Sequence, residues 1–325
     1  MPAHLLEANV PTRSERLAGG LVGLLVGDAL GVPYEFHLAE KIPPRDKIEF
    51  EPPPDFRAAH GVPPGTWSDD GSLALCLLAS LLDCNNVDVD DIGRRFLNWY
   101  DDGYMAVDGH VFDIGVQTGT ALRRLREGEP ALTAGPAGEQ NNGNGSLMRT
   151  LPLALWHRGN DAQLVWDACI QSRVTHGNER SQVCCALYSL WARRVLDEHR
   201  DPWADAVKVL RSLWPETSPM RAELEFQIRP DELVPGKGSG YVVDSLRSAR
   251  WVVSQESTYE GVVKAAIALG DDTDTTACVA GGIAGVRDGI EGIPARWRSA
   301  LRGRELYEPL LLRLAGSLPT APSGH

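Results

Sequence analysis

The chain has 325 residues, with 32 Lys+Arg against 44 Asp+Glu and a formal net charge of −12. That length holds one large domain or two ordinary ones, and it buries a core without disulfide or metal staples. A hydrophobic fraction of 43% with 23% charged residues excludes a disordered chain, and the acidic balance argues against a binder of nucleic-acid backbone, which needs a basic face.

The first apolar run, Leu17–Val26, follows Arg13 and Arg16 and superficially resembles a signal peptide. It is ten residues long and meets Asp28, too short to span a bilayer, so it predicts a buried first helix. That helix ends in Gly27-Asp28-Ala29-Leu30-Gly31 and places Glu35 at its exit. After the Pro-rich stretch Pro43–Pro64 comes Gly65-Thr66-Trp67-Ser68-Asp69-Asp70-Gly71, directly before a helix-like block, Gly71–Leu82, that is apolar on most faces. Ser68 can cap that helix, and acids in a first turn suit the helix dipole. Asp90-Asp91 and Asp101-Asp102 read as solvated turns or helix starts, whereas Gly109–Gly115 brings Asp113 to a helix start.

Asn141-Asn142-Gly143-Asn144-Gly145-Ser146 is loop chemistry running into helix-like Leu147–Trp156. Backbone N–H groups of such a turn can cradle phosphate oxygens, though the stretch is neither a Walker A loop nor G-x-G-x-x-G. Thr175-His176-Gly177 precedes the clearest amphipathic helix, Ser181–Leu196, in which Val183, Cys184, Leu187, Leu190, Trp191 and Val195 form one stripe. Gly238-Ser239-Gly240-Tyr241 offers an aromatic ring beside flexible backbone, suited to stacking on a base or to burial after a turn. Finally, Gly270-Asp271-Asp272-Thr273-Asp274-Thr275 stands between the buried helix-like Tyr259–Leu269 and the small-residue helix Ala277–Val286. Carboxylates wedged between apolar helices are expensive unless something compensates them.

Strand-like alternation is scarce. The Pro/Gly-rich segments Pro43–Pro64, Gly128–Gly145 and Pro215–Gly240 read as surface loops, and no linker or repeat divides the chain. The expectation is one compact, mostly α domain. The six cysteines show no C-x-x-C and no zinc spacing, so they read as reduced core residues of a cytoplasmic protein. Should the two acidic clusters meet, Asp69, Asp70, Asp272 and Asp274 with the Ser68 and Thr275 hydroxyls form an all-oxygen site. Four carboxylates neutralise two divalent cations, and oxygen ligation without Cys or His points to Mg²⁺ or Mn²⁺ rather than Zn²⁺.

In this order, the motifs resemble the ADP-ribosylglycohydrolase family over about residues 17 to 289. The resemblance implies a single all-α helical bundle covering the chain (core about 17–316), with two Mg²⁺ or Mn²⁺ at the base of an ADP-ribose cleft. It implies hydrolysis of the bond between C1″ of the distal ribose and an acceptor, commonly a protein side chain. By the same resemblance, Ser68, Asp69 and Asp70 match one metal triplet and Asp272, Asp274 and Thr275 the other. Glu35 matches a glutamate near the distal ribose, and Asp113 an aspartate used near the scissile bond by the arginine-linkage type. Asn144, Gly145 and Ser146 match the phosphate-binding turn, His176 a ribose-side residue, and Gly240-Tyr241 the adenine-stacking position. Ser68 stands where the family more often has Thr, which keeps the hydroxyl. Gly71 stands where Thr is common, which is expected to loosen the turn holding Asp69 and Asp70. The expected partners are ADP-ribose and ADP-ribosylated protein, with no membrane, and with nucleic acid only as a modified substrate. A catalytically silent ADP-ribose reader and a dimetal nucleotide phosphohydrolase are the alternatives.

Overall fold

The computed structural model describes residues 10–316. Helices α1 (Arg13–Gly31), α2 (Asp69–Cys84), α3 (Val89–Asp102), α4 (Val116–Arg126) and the short α5 (Ala131–Ala134) come first. They are followed by α6 (Leu151–Trp156), α7 (Asp161–Arg173), α8 (Glu179–Leu196), α9 (Pro202–Leu213), α10 (Pro219–Ala222), α11 (Val242–Gln255), α12 (Tyr259–Ile267), α13 (Thr273–Asp288), α14 (Ala295–Ala300) and α15 (Arg304–Gly316). Among the described residues the only strands are the two-residue β1 (His37–Leu38) and β2 (Gly270–Asp271), paired antiparallel with His37 opposite Asp271. The all-α class expected from the scarcity of alternation is what the structure shows.

The centre of the bundle is the antiparallel pair α1 and α13. Glycines at every fourth position of α1 make one small-residue face, and that spacing is one helical turn. A Cβ at Gly23 would lie 2.7 Å from Gly281 O, one at Gly27 2.2 Å from Ala277 O, and one at Gly31 2.3 Å from Asp274 Cα. The two backbones therefore touch, and only glycine permits it. This close approach fixes the end of α1, with Asp28, against the start of α13, with Asp272 and Asp274.

Around the pair, α2, α8 and α12 are buried along most of their length. Their starts are specified locally: Ser68 caps α2, Asn178 caps α8 and Thr258 caps α12, each side chain accepting a first-turn N–H. A capping box of Thr12 and Glu15 opens α1.

The structure changes several details of the sequence reading. With its 3₁₀ extension to Tyr34, the first apolar segment is 22 residues long, enough by length and composition to cross a membrane, but 94% of its most apolar window is buried inside the protein. Asp101-Asp102 ends α3 instead of starting a helix, closed by Gly103 at φ +72. Helix α6 begins at Leu151 and not at Leu147. The preceding residues spend their backbone on turns, with the N–H groups of Leu147 and Met148 both donating to Asn144 O, and Pro152 fits the first helical turn. The stretch 215–240 is not all loop: it holds α10 and a π-helical turn, Glu223–Ile228, that buries Leu224 and Ile228. Tyr241 is the residue before α11 and forms an isolated bridge with Gly143. The six cysteines are unpaired; five are buried and Cys84 is half-buried.

Candidate active site

Two backbone seams bring together motifs far apart in sequence. Phe36 N donates to Asp271 O (2.7 Å), joining the exit of α1 to the entrance of α13. Asn144 N donates to Gly240 O (3.1 Å) and Val242 N to Asn142 O (2.9 Å), joining the Asn/Gly turn to the Gly-Tyr turn. A third link, Asp272 N to Gly238 O (2.9 Å), ties both seams together. Between them lies a cleft of about 420 Å³, lined by Glu35, Asp69, Asp70, Asp113, Asn144 and Asp272 along with neighbouring residues. That volume lies in the range of small-molecule sites.

The two acidic clusters do meet. Thr275 Oγ1 donates to Asp70 Oδ1 at 3.3 Å, across the gap between α13 and α2. Asn144 Nδ2 donates to Asp272 Oδ2 at 2.8 Å and fixes that carboxylate against the Asn/Gly turn. Carboxylate oxygens of Glu35, Asp272 and Asp274 lie within 4.8 Å of one another. Glu35 Oε2 lies 2.6 Å from His60 Nε2, and His60 with Glu35 and Asp113 forms a second such group.

Crowding buried carboxyls disfavours their ionised forms. Burial first, and then repulsion from Asp113 and Asp272, pushes Glu35 up to about 10. Burial and the neighbouring acids also hold Asp69, Asp70 and Asp274 well above the usual carboxylate range. Asp272 and Asp113 are raised as well, chiefly by burial, with His60 drawing Asp113 back down. Asp70 Oδ2 and Asp274 Oδ2 are buried and have no hydrogen-bond partner among the described residues. Orphaned carboxyl oxygens in a cluster that resists ionisation on its own are the donor set a hard cation would satisfy, and the absence of sulfur or a convergent pair of imidazoles matches oxygen-seeking metals. The residues present therefore fit a divalent metal.

The other residues named from sequence take distinct places. Ser68 Oγ caps α2, accepting Asp70 N–H at 3.4 Å, and the side chain is buried. Gly145 and His176 line the cleft. Burial pushes His176 down to about 3, so its ring is neutral, with Nδ1 2.8 Å from Thr175 Oγ1. Ser146 turns its hydroxyl into the core, where it accepts from Ser172 Oγ at 2.9 Å. Gly240 lines the cleft, and Tyr241 stands beside it, partly exposed, its hydroxyl 3.2 Å from Arg180. The turn at Gly71 is not loosened. A Cβ there would meet Trp67 Cγ at 2.7 Å and Leu25 Cδ2 at 2.8 Å, so the glycine packs tightly.

Three residues escaped the sequence reading. Asp28, fully buried on α1, accepts from Ser68 N (2.9 Å) and from Gly71 N (2.7 Å) and so caps α2 from outside. Burial pushes it up to about 7 against the pull of those N–H groups. Arg149 is buried beneath the Asn/Gly turn, donating to Gly145 O (2.9 Å), Thr175 Oγ1 (2.6 Å) and Gln171 O (2.9 Å). It thereby joins the turn to the His176 segment. His60, third of the three, sits in the Pro-rich stretch, where no local pattern marks it.

The ADP-ribosylglycohydrolase family model matches residues 9–323. The chain belongs to the ADP-ribosylglycohydrolase family. Within that family it is 33% identical to the ADP-ribosylarginine hydrolase Tri1 of Pseudomonas putida, over 87% of this chain and 73% of the relative. It is 28% identical to the ADP-ribosyl-[dinitrogen reductase] glycohydrolase of Rhodospirillum rubrum, over 94% of this chain and 98% of the relative. Among solved structures, an ADP-ribosylglycohydrolase-related protein complex superposes with a TM-score of 0.76 and 31% identity, covering 94% of this chain and 98% of that one. The chain is thus an ADP-ribosyl glycohydrolase of the all-α family type, and its acidic clusters are the ones that could bind metal.

Proposed function

We propose that this enzyme removes ADP-ribose from modified arginine on protein by hydrolysing the C1″ glycosidic bond. The observation that carries the reading is the convergence of Glu35, Asp69, Asp70, Asp113, Asp272 and Asp274 on one cleft beside the Asn/Gly turn. The arginine linkage is supported by the similarity to a relative named an ADP-ribosylarginine hydrolase. On this reading the whole chain, 1–325, serves as one domain, because residues from both halves line the cleft. The unpaired thiols fit a reducing, cytoplasmic compartment.

Cleavage breaks the bond from C1″ to the guanidine nitrogen and forms one from C1″ to a water oxygen, with the water's proton ending on the departing guanidine. The transition state carries positive charge on the ribose, as in other glycoside hydrolyses. The buried carboxylates oppose that charge in a site shielded from water. Asp113 and Glu35, both held near His60, are the groups assigned to orient and deprotonate the water and to assist the leaving guanidine. The Asn144-Gly145-Ser146 turn is assigned to the diphosphate through the main-chain N–H groups of Gly145 and Ser146, the Asn144 N–H being held by Gly240 O, with neutral His176 on the ribose side and Gly240 with Tyr241 at the adenine. Two Mg²⁺ or Mn²⁺, held by Asp69, Asp70, Asp272 and Asp274 with Ser68 and Thr275, would supply Lewis-acid fixation of the ribose hydroxyls and of the water.

The test is Asp70→Asn and Asp274→Asn on an ADP-ribosyl-arginine peptide with Mg²⁺. Each is expected to lose at least about a hundredfold in turnover while binding of free ADP-ribose weakens far less. Full turnover by either variant contradicts the assignment.

A further inference from the structure

The mouth of the cleft carries a residue that the hydrolysis scheme does not use. Phe36 follows Glu35 directly, lines the cleft with Asp113 and Ile114, and is 68% exposed. Its backbone lies at φ +61, a region costly for a bulky non-glycine residue. Asp113 at φ +56 and Asp271 at φ +61 share that conformation. The pairing of Phe36 N with Asp271 O, next to the β1–β2 register, holds two of these residues in place. Strain of this kind persists where the surrounding structure over-determines it, and it collects at ligand sites. Its effect here is to turn an apolar ring outward beside the carboxylates instead of letting it bury.

The ring is not isolated. His60 lies 5.8 Å from Phe36 and 5.1 Å from Phe112, centroid to centroid, and His110 stacks on Phe112 at 5.7 Å and 22°. Of these four rings Phe36 lines the cleft with Glu35 and Asp113, and His60 contacts both Phe36 and Phe112 behind it. Carboxylates alone attract any cation. A ring face beside them selects a planar, delocalised and weakly hydrated one, which is the character of guanidinium and not of ammonium or hydroxyl.

We propose that Phe36 is a specificity-determining residue whose ring receives the planar guanidinium of the acceptor arginine, opposite the carboxylates of Glu35 and Asp113. The proposal rests on the arginine reading given above, and it names the element of the site that tells an arginine linkage from a serine one.

The test uses the full chain with Mg²⁺, as wild type and as Phe36→Ala, Phe36→Leu and Phe36→Trp. Turnover is measured on ADP-ribosyl-arginine and ADP-ribosyl-serine peptides. Binding of agmatine in the presence of ADP-ribose is measured by calorimetry. Loss of a cation–π contact is expected to raise KM for the arginine peptide by about three- to thirtyfold in the Ala and Leu variants. The arginine-to-serine preference should fall by the same factor, agmatine affinity should fall in parallel, and Trp should restore all three. The proposal is overturned if Leu, which keeps bulk without a ring, matches wild type, or if Ala lowers both linkages equally. Should the wild type leave arginine linkages intact, the arginine-hydrolase reading fails by itself. Agmatine binding then still decides: dependence on the ring sustains the platform, and indifference to it removes the platform.

Discussion

The carboxylate cluster makes stability, pH and metal depend on one another in a calculable way. Carboxyls raised in the folded chain keep their protons after the unfolded chain has ionised. Their contribution to stability is therefore complete below about pH 4 and is lost as pH rises through their folded values. For Glu35 that window runs from 4.5 up to about 10, and Asp69, Asp70 and Asp274 are raised in the same direction. A bound divalent cation favours the ionised forms, so each proton it displaces adds about 1.4 kcal/mol of metal-dependent stabilisation per pH unit. For a chain of this length that is about 2 °C in Tm. Taking Glu35 and one further cluster carboxyl as the displaced pair, the Mg²⁺-induced increment in Tm should grow by about 4 °C per pH unit between pH 6 and 8. The assay is thermal unfolding at fixed excess Mg²⁺ against EDTA across that range. Buried thiols and His176 titrate identically in both arms and cancel. Calorimetry in buffers of different ionisation enthalpy should count the released protons directly, and Glu35→Gln should take one away. An increment that does not change with pH would refute the reasoning.

Other outcomes follow from single contacts. Asp28→Asn turns an amide N–H toward the N–H groups of Ser68 and Gly71, and losing a charge-assisted hydrogen bond there should cost about 2 kcal/mol. Because Asp28 orients the turn carrying Asp69 and Asp70, Mg²⁺ affinity measured by calorimetry should fall about tenfold or more. Gly71→Thr drives a side chain into Trp67 and Leu25 and should lower stability by about 1–3 kcal/mol in denaturant unfolding. Arg149→Met leaves Gly145 O, Thr175 Oγ1 and Gln171 O without their buried donor, which should cost about 3 kcal/mol or more and weaken ADP-ribose binding. Tyr241→Ala should raise KM about tenfold with kcat nearly kept, and Tyr241→Phe should recover most of that loss.

The helices were legible where packing acts through simple periodicity. The stripe from Val183 to Val195 became α8, and the apolar blocks after Ser68 and Thr258 became α2 and α12. The meeting of the two acidic clusters could be anticipated, since each opens a helix beside a buried segment. The device that brings them together is written in the sequence as glycines 19, 23, 27 and 31, which repeat every helical turn and meet the backbone at and beside α13. Asp28 follows Gly27 of that repeat, yet its partners Ser68 and Gly71 lie about forty residues away, so no local signal reveals a cap supplied by another helix. Arg149 and His60 were hidden for the same reason, their partners being set by tertiary packing. Ser146 was legible as part of a turn whose backbone suits phosphate, but its hydroxyl accepts from Ser172 in the core, a partner no local pattern reveals.

Product analysis on an ADP-ribosyl-arginine peptide tests the account most directly. Mass spectrometry should detect intact ADP-ribose and unmodified arginine in the presence of Mg²⁺ or Mn²⁺, with the rate falling at least about a hundredfold in EDTA. Release of AMP or phosphate, or an unchanged rate in EDTA, would contradict it.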